Sequence, residues 1–353
     1  MNAQSYKIEN TYLCVGETRI GNKRAFRIMN INGNIAEYSS DDVKKKLLNT
    51  SVTVIGLKIS PNNRLLKDNK DYEDLRKKFY VACEVYKWLS KMRLLNIGTN
   101  IELSYDLIYL LRVTGDVHNL VLPPVLVIND DALKNNKTLD SVIIPNTVER
   151  IHRMAFRSCT GLKSIEFNSN LQYLGEHSFS NAFYEHLNYK CNIKLVGSIE
   201  KICEKAFYRS NIASVKIENT VGKEVKIENF AFEKSTVIAV ELGDSVTEIG
   251  KGIFSYCNQL KYIKLSKNIT TIPMEAFNEC INLQTVNIPE GVRVVDALAF
   301  RECKGLLYVT LPKSLTTIGY HAFPNDKKIK FCVPPGSYAE RFCIENKLTY
   351  IYI

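Results

Sequence analysis

No apolar run in this chain approaches the roughly 18 residues that a helix needs to cross a bilayer. Residues 1–12 are polar and lack the apolar core of a secretory signal, and the C-terminal residues carry no sorting or anchoring tail. These absences predict a cytoplasmic protein without a membrane span. Catalytic signatures are missing as well. There is no H-E-x-x-H and no G-x-S-x-G. The nearest approach to a phosphate loop, Gly250-Lys251-Gly252, lacks both the upstream glycine and the following Ser or Thr. The five histidines are His118, His152, His177, His186 and His321. His177 and His321 share a column of the repeat described below, but six coils apart. At about 5 Å per coil that is roughly 30 Å, too far to share a metal or a proton. The expectation is a non-enzymatic protein with no catalytic residue, no cofactor and no metal site.

Charge is not extreme. The net charge of +10 is moderate for 353 residues. Residues 1–120 hold 19 Lys and Arg against 13 Asp and Glu, and the remainder 28 against 24, so the excess is denser in the N-terminal third. Only Lys44-Lys45-Lys46 and Arg76-Lys77-Lys78 form basic triplets, which read as solvated helix faces. A hydrophobic fraction of 45% suits a folded chain, and the length suggests two domains.

What the chain has in quantity is one recurring stretch, clearest at Leu283–Leu306. Its landmark is an Ala-Phe pair followed three residues later by Cys or another small residue. The landmark aromatics are Phe156, Phe179, Phe207, Phe232, Phe254, Phe277, Phe300 and Phe323, with Leu133 a worn first copy. The intervals are 23, 23, 28, 25, 22, 23, 23 and 23 residues, a period that marks a solenoid. No single copy has enough apolar residues for its own core, whereas stacked copies share one. Counting back from Phe300, the apolar positions are Val295, Val292, Ile288, Val286 and Leu283, and the same offsets recur from Phe277 and Phe156. The Val-x-Ile step has the period of a strand. Pro145, Pro289 and Pro312 end that strand, since proline has no N–H for a ladder. A second extended piece is predicted at Val292–Val295, and one turn at Ala-Phe-x-x-Cys.

Cys159, Cys257, Cys280 and Cys303 occupy one column of this repeat, and none of the ten cysteines forms a C-x-x-C pair. The column faces inward in the solenoid reading. Coils about 5 Å apart leave disulfide or metal geometry open. The preferred reading is a structural ladder of small buried side chains.

With its Ile-Pro, Ala-Phe and Cys landmarks in register, the pattern over residues 120–353 resembles the BspA-like leucine-rich repeat. Residues 333–348 resemble the short helix that closes such solenoids. The fold class expected is α+β: a leucine-rich-repeat β-solenoid with short strands and a single helical turn per coil, preceded by a small β-rich domain and a capping helix. The resemblance implies a non-enzymatic recognition scaffold. Family members known as cell-surface binding proteins carry export signals, and the polar start departs from them there.

Four segments are expected: a small β-rich domain at 1–66, a helical linker and cap at 67–119, repeats at 120–332 and a C-terminal cap at 333–353. In the first, strands are predicted at Tyr12–Val15, Ala25–Met29, Ser51–Ile55 and Leu57–Ile59, a turn at Asn32-Gly33 and a helix at Ser40–Leu48. This segment distantly resembles small N-terminal domains of bacterial mobile-element proteins, a likeness that carries no function across. Residues 71–95 are the strongest helix. Tyr72, Leu75, Phe79, Ala82, Tyr86 and Leu89 form one apolar stripe, and Val81, Val85, Trp88 and Met92 another. So wide a face must be buried, either against the open end of the solenoid or in a homodimer. Leu103–Leu111 is expected to add a short helix or an irregular coil.

Binding residues are sought on the outward positions of the first strand. One column reads Ser141, Ser164, Asn192, Ser214, Ala239, Tyr262, Thr285 and Tyr308; its neighbour reads Ile143, Glu166, Lys194, Lys216, Glu241, Lys264, Asn287 and Thr310. Exposed tyrosines on a rigid sheet offer large contact area at low entropic cost. The contact patch expected is Tyr262, Lys264, Thr285, Asn287 and Tyr308, engaging a protein partner. The long intervals, with Phe183–Tyr189 and Glu218–Glu224, are expected as loops. Two other readings stay open: a nucleic-acid-associated mobile-element protein using the basic N-terminal third, and a surface or virion adhesin for host protein or glycan.

Overall fold

The structure, a computed structural model, describes residues 11–20, 23–30, 34–39, 53–55, 77–85, 87–88, 100–104, 108–184 and 190–353. They fall into two compact units, one within Met1–Leu110 and Pro123–Leu126, the other within Leu111–Leu122 and Val127–Ile353.

In the first unit, strands β1 (Thr11–Ile20), β2 (Lys23–Asn30), β3 (Ile35–Ser39) and β4 (Thr53–Ile55) form a sheet in the order β3-β2-β1-β4. β2 runs antiparallel to both β1 and β3, while β4 joins β1 in parallel. Three of the expected strands are therefore present. The Asn32-Gly33 turn, the Ser40–Leu48 helix and the Leu57–Ile59 strand lie outside the described residues. Residues 77–85 are helical, as expected for 71–95. Phe79, Val81, Ala82, Cys83 and Val85 are buried and Tyr80 is exposed. The Cys83 thiol lies 3.9 Å from the Asn30 carbonyl oxygen. Members of both apolar stripes are thus covered within one chain.

Leu103–Leu111 corrects the sequence expectation. Its described residues include no helix: Leu103 ends β5 (Asn100–Leu103) and Tyr109, Leu110 and Leu111 begin β6 (Tyr109–Thr114). The Ser104 N–H donates to the Tyr109 carbonyl, and the Tyr109 N–H donates to Ser104 Oγ, both at 2.9 Å. The leucines here are good helix formers. Strand pairing and the burial of Leu110 and Val113 outweigh that local preference.

The second unit is the solenoid. A typical coil has a front strand (Thr285–Asn287), a second strand (Val294–Val295) and the landmark turn around Phe300. Front strands stack in parallel in three ladders. The first runs from Asn119–Val121 to Ser164–Glu166, the next from Cys191–Gly197 to Tyr262–Lys264, and the last from Thr285–Asn287 to Thr349–Tyr352. Second strands stack beside them, with a break between Val246–Ile249 and Thr271–Ile272. The central residues of the front strands from Leu120 to Phe331, such as Val286 or Val309, are buried, while the closing strand Thr349–Tyr352 is not.

The landmark turn is built from alternating hydrogen bonds. The Phe277 N–H donates to Ala299 O of the next coil at 2.7 Å, and the N–H groups of Glu275 and Glu279, two residues to either side, also reach the next coil, at Ala297 O and Arg301 O. The intervening N–H groups of Asn278 and Cys280 bond back three residues within their own coil. This alternation puts the residues two before and two after the landmarks up to Phe300 at positive φ, as at Met154 and Ser158, Lys205 and Arg209, Glu275 and Glu279, Leu298 and Glu302. A left-handed L-residue costs about 1–2 kcal/mol, and here all of these but Glu302 aim an N–H at a carbonyl of the next coil. At Gly252 the same position must be glycine for space, since a Cβ would stand 2.5 Å from the Phe230 ring of the coil before.

Behind these bonds the landmark rings form a continuous stack from Phe156 to Phe323. Centroids are 4.8–5.7 Å apart and planes within 2–19° of parallel. Phe331 ends the stack edge-on against Phe323 at 5.3 Å. The helix Tyr338–Glu345 follows, N-capped by Ser337, whose Oγ accepts the Glu340 N–H.

Replacing Phe277 with Ala removes a ring stacked on both sides. The expected loss is about 3–5 kcal/mol of unfolding free energy in a denaturant titration. Phe323→Ala, at a half-buried position, is expected to lose clearly less.

A candidate binding face on the strand ladder

Alternation along each front strand sends the flanking side chains outward, and strand register fixes which of them are neighbours. Ser141 pairs with Ser164, Asn192 with Ser214, Ala239 with Tyr262, and Thr285 with Tyr308, all within the expected first column. The second column is equally in register, with Glu241 between Lys216 and Lys264. All five expected patch residues are exposed, Tyr262 to 55% and Tyr308 to 44%, which leaves both rings available to a ligand.

The structure does not place the five on one ladder. Tyr262 and Lys264 close the middle ladder, whereas Thr285, Asn287 and Tyr308 begin the last. Lys264 is engaged with Glu241 at 3.2 Å, and this contact holds the Glu241 carboxyl below its ordinary range. Lys330, next in register after Tyr308, sets its ammonium 6.0 Å from that ring. Sequence reasoning passed over Lys330 because the strand there follows the last landmark. The 23-residue period points to it.

The two long intervals differ from the loops expected. Phe183 is 1% exposed and stacks 6.3 Å from Phe179, so it belongs to the core. Tyr184 is exposed and lines, with Thr160, Asn181 and Arg209, an open cavity of about 520 Å³. Residues 185–189 lie outside the described set. In the other interval, Glu218 and Asn219 extend the strand Ile212–Asn219. Buried Asn219 then holds the loop. Its Nδ2 donates to Ile199 O at 2.7 Å, and its Oδ1 accepts the N–H groups of Val221 and Lys223. Val221 stands exposed beside the tip.

The cysteine column faces inward. The thiols of Cys159, Cys257, Cys280 and Cys303 each donate to the landmark carbonyl of the coil before, at 3.0–3.2 Å. Ser210 does the same to Phe179 O at 2.6 Å. In these five coils the column therefore holds a small side chain with a hydrogen to give, a role that spacing alone did not reveal; Ala182, at the same offset, keeps the size without the donor. Burial pushes the thiols of Cys159, Cys257 and Cys303 up to about 12, and Cys280 well above its ordinary value. The four column cysteines are free thiols. Among the described residues no group of three His, Cys, Asp or Glu stands where it could hold a metal ion. Nor is any described helix long and apolar enough to cross a membrane. Of the basic triplets, only Lys77 and Lys78 fall in the described set.

A family model for the BspA type leucine rich repeat region matches residues 126–199 and 200–330, in six copies. The chain belongs to this family. Solved structures with the repeat are similar to it at low identity. A leucine rich cell surface protein from Faecalibacterium prausnitzii is 20% identical over 70% of this chain and 96% of its own, with a TM-score of 0.31. The T. pallidum leucine rich repeat protein is 20% identical over 72% and 95%, with a TM-score of 0.37. The pneumococcal vaccine antigen PcpA is 14% identical over 69% and 94%, with a TM-score of 0.33. No curated protein matches the chain. In this BspA-type repeat the Ile-Pro, Ala-Phe and Cys landmarks have the strand, stack and donor roles described above.

Thiol chemistry checks the inward column. In native protein at pH 8, a thiol-reactive probe is expected to label half-exposed Cys332 before any of the four column cysteines, which react only on unfolding. The linkage has one sign. A free thiol titrates near ~8.5 when unfolded. The native thiols hold their protons up to about 12. The thiol contribution to stability is therefore flat below pH ~8 and falls as pH rises from there toward 12, as unfolding monitored across that range will show.

Proposed function

We propose that this BspA-type repeat protein is a non-enzymatic recognition scaffold that binds a protein partner on the outward columns of its front strands. The contact is centred on Tyr262, Lys264, Thr285, Asn287 and Tyr308, with Lys330 at its margin. The observation that supports this reading is the pair of exposed tyrosines held in register on hydrogen-bonded strands. A tyrosine fixed in this way gives up little freedom on binding and brings both apolar area and a hydroxyl. The first half of the same column, with Ser141, Ser164, Asn192 and Ser214, offers none of this. Side chains there bond to one another instead, as Ser214 Oγ does to Asn192 Oδ1 at 2.6 Å.

Proteins retained from native lysate by the wild-type chain should be lost by Tyr262→Ala with Tyr308→Ala and kept by Ser141→Ala with Ser164→Ala. For a partner then identified, the tyrosine pair should weaken affinity at least ~30-fold, about 2 kcal/mol. Equal affinity of wild type and the tyrosine variant rejects this face.

A further inference from the structure

The turn side of the solenoid carries a second ordered column, two residues after each landmark. Over five consecutive coils it reads Arg209, Lys234, Tyr256, Glu279 and Glu302. All five have φ between 53° and 60°. Their register is set by backbone bonds: Arg209 N–H to Glu233 O, Lys234 N–H to Ser255 O, Tyr256 N–H to Asn278 O and Glu279 N–H to Arg301 O, each 2.7–2.9 Å. With coils about 5 Å apart, the column runs roughly 20 Å. It is basic at one end, acidic at the other, and has an exposed tyrosine midway. Arg209 and Glu279 have no ion-pair partner among the described residues. The Arg209 guanidinium lies 5.6 Å from the Tyr208 ring, and the Lys234 ammonium lies between Tyr208 and Tyr256, at 5.6 and 5.2 Å from their centroids.

This charge order is complementary to its own reverse. A two-fold axis in the contact plane, perpendicular to the stack and level with Tyr256, reverses the coil order and keeps the column. It sets Arg209 opposite Glu302 of the partner subunit, Lys234 opposite Glu279 of the partner subunit, and the two Tyr256 rings against each other on the axis. The neighbouring column agrees, since Tyr208 then faces Arg301 of the partner subunit, a cation for an aromatic face. We propose that the chain self-associates through this column as an antiparallel two-fold dimer.

A free polyanion is a poorer fit to the basic half. Glu204 and Glu233 stand within it, at 2.9 and 3.2 Å from Lys205 and Lys234, so an anionic polymer would meet carboxylates along with the cations. A second copy uses both halves of the column. The contact is a narrow ridge, smaller than the ~800 Å² per partner of a standard interface, so the dimer is weak and sensitive to salt. The ridge lies on the turn side of the coil, not on the front strands, so dimerisation and partner binding through Tyr262 and Tyr308 respond to different substitutions.

The test is sedimentation of the full chain across concentration, in low and high salt. Wild type is expected to move from monomer to dimer as concentration rises in low salt, and to dissociate in high salt. Arg209→Glu with Lys234→Glu makes the column wholly acidic, and Glu279→Lys with Glu302→Lys makes it wholly basic. Each variant alone should dimerise at least ~10-fold more weakly than wild type. Mixed one to one, the two should associate at least as well as wild type, which also shows that both are folded. Three outcomes overturn the proposal: wild type monomeric throughout at low salt, either variant self-associating like wild type, or two monomeric variants that fail to combine.

Discussion

The N–H of each landmark phenylalanine from Phe156 to Phe300 points to the next coil, and the rest of the solenoid follows from that bond. A turn that satisfied its own hydrogen bonds, as a helical turn does, would leave neighbouring coils joined only by their short strands. Here alternate N–H groups close the turn while the others bridge to the next coil. The spacing this imposes is close to that of strands in a sheet, and it is also a distance at which aromatic rings stack. The phenylalanine column therefore packs against itself ring on ring, in near-parallel planes. The landmark carbonyl, approached by the small residue three positions on, receives a second hydrogen from the thiol or hydroxyl of the coil above. One backbone pattern thus accounts for the phenylalanine, the small residue after it and the left-handed positions around them.

This division of labour explains why so much of the sequence is silent about function. Residues that face inward answer to stacking, and their identities are nearly interchangeable between coils. The outward columns, and the exposed residues of the two long intervals such as Tyr184 and Val221, are the positions free of the stack. Solenoids tolerate such insertions because each coil touches only its neighbours. Asn219 illustrates the local repair: one buried amide bonds to a neighbouring carbonyl and to two N–H groups of the loop that follows it.

Much of this was legible in the sequence. The period of the landmarks gave the coil count, the Val-x-Ile step gave the front strand, and the inward direction of Cys159, Cys257, Cys280 and Cys303 followed from their shared offset. The left-handed positions were hidden, because Met154, Lys205, Glu275 and Leu298 have no bias toward positive φ. Only the contact with the next coil puts them there. Leu103–Leu111 was misread for a related reason: leucine-rich composition speaks of helix until a neighbouring strand supplies hydrogen-bond partners. Phe183, assigned to a loop by the length of its interval, is a core ring. For the candidate face, period-two alternation revealed which residues point outward. It carried no sign that the ladder is interrupted within the patch, since an interruption depends on how successive coils tilt.

That interruption has a mechanical consequence. Between Tyr262–Lys264 and Thr285–Asn287 the front strands lie side by side without ladder bonds, while the turn side of the same two coils stays bonded through Phe277 and Glu279 and the second strands stay paired. Two blocks joined along one edge and unlatched along the other behave as a door on its jamb. Small rotations about the phenylalanine edge open or narrow the gap on the tyrosine side without breaking a backbone bond. The distance between Tyr262 and Tyr308 therefore follows the angle of the door, and a ligand that grips both rings sets that angle.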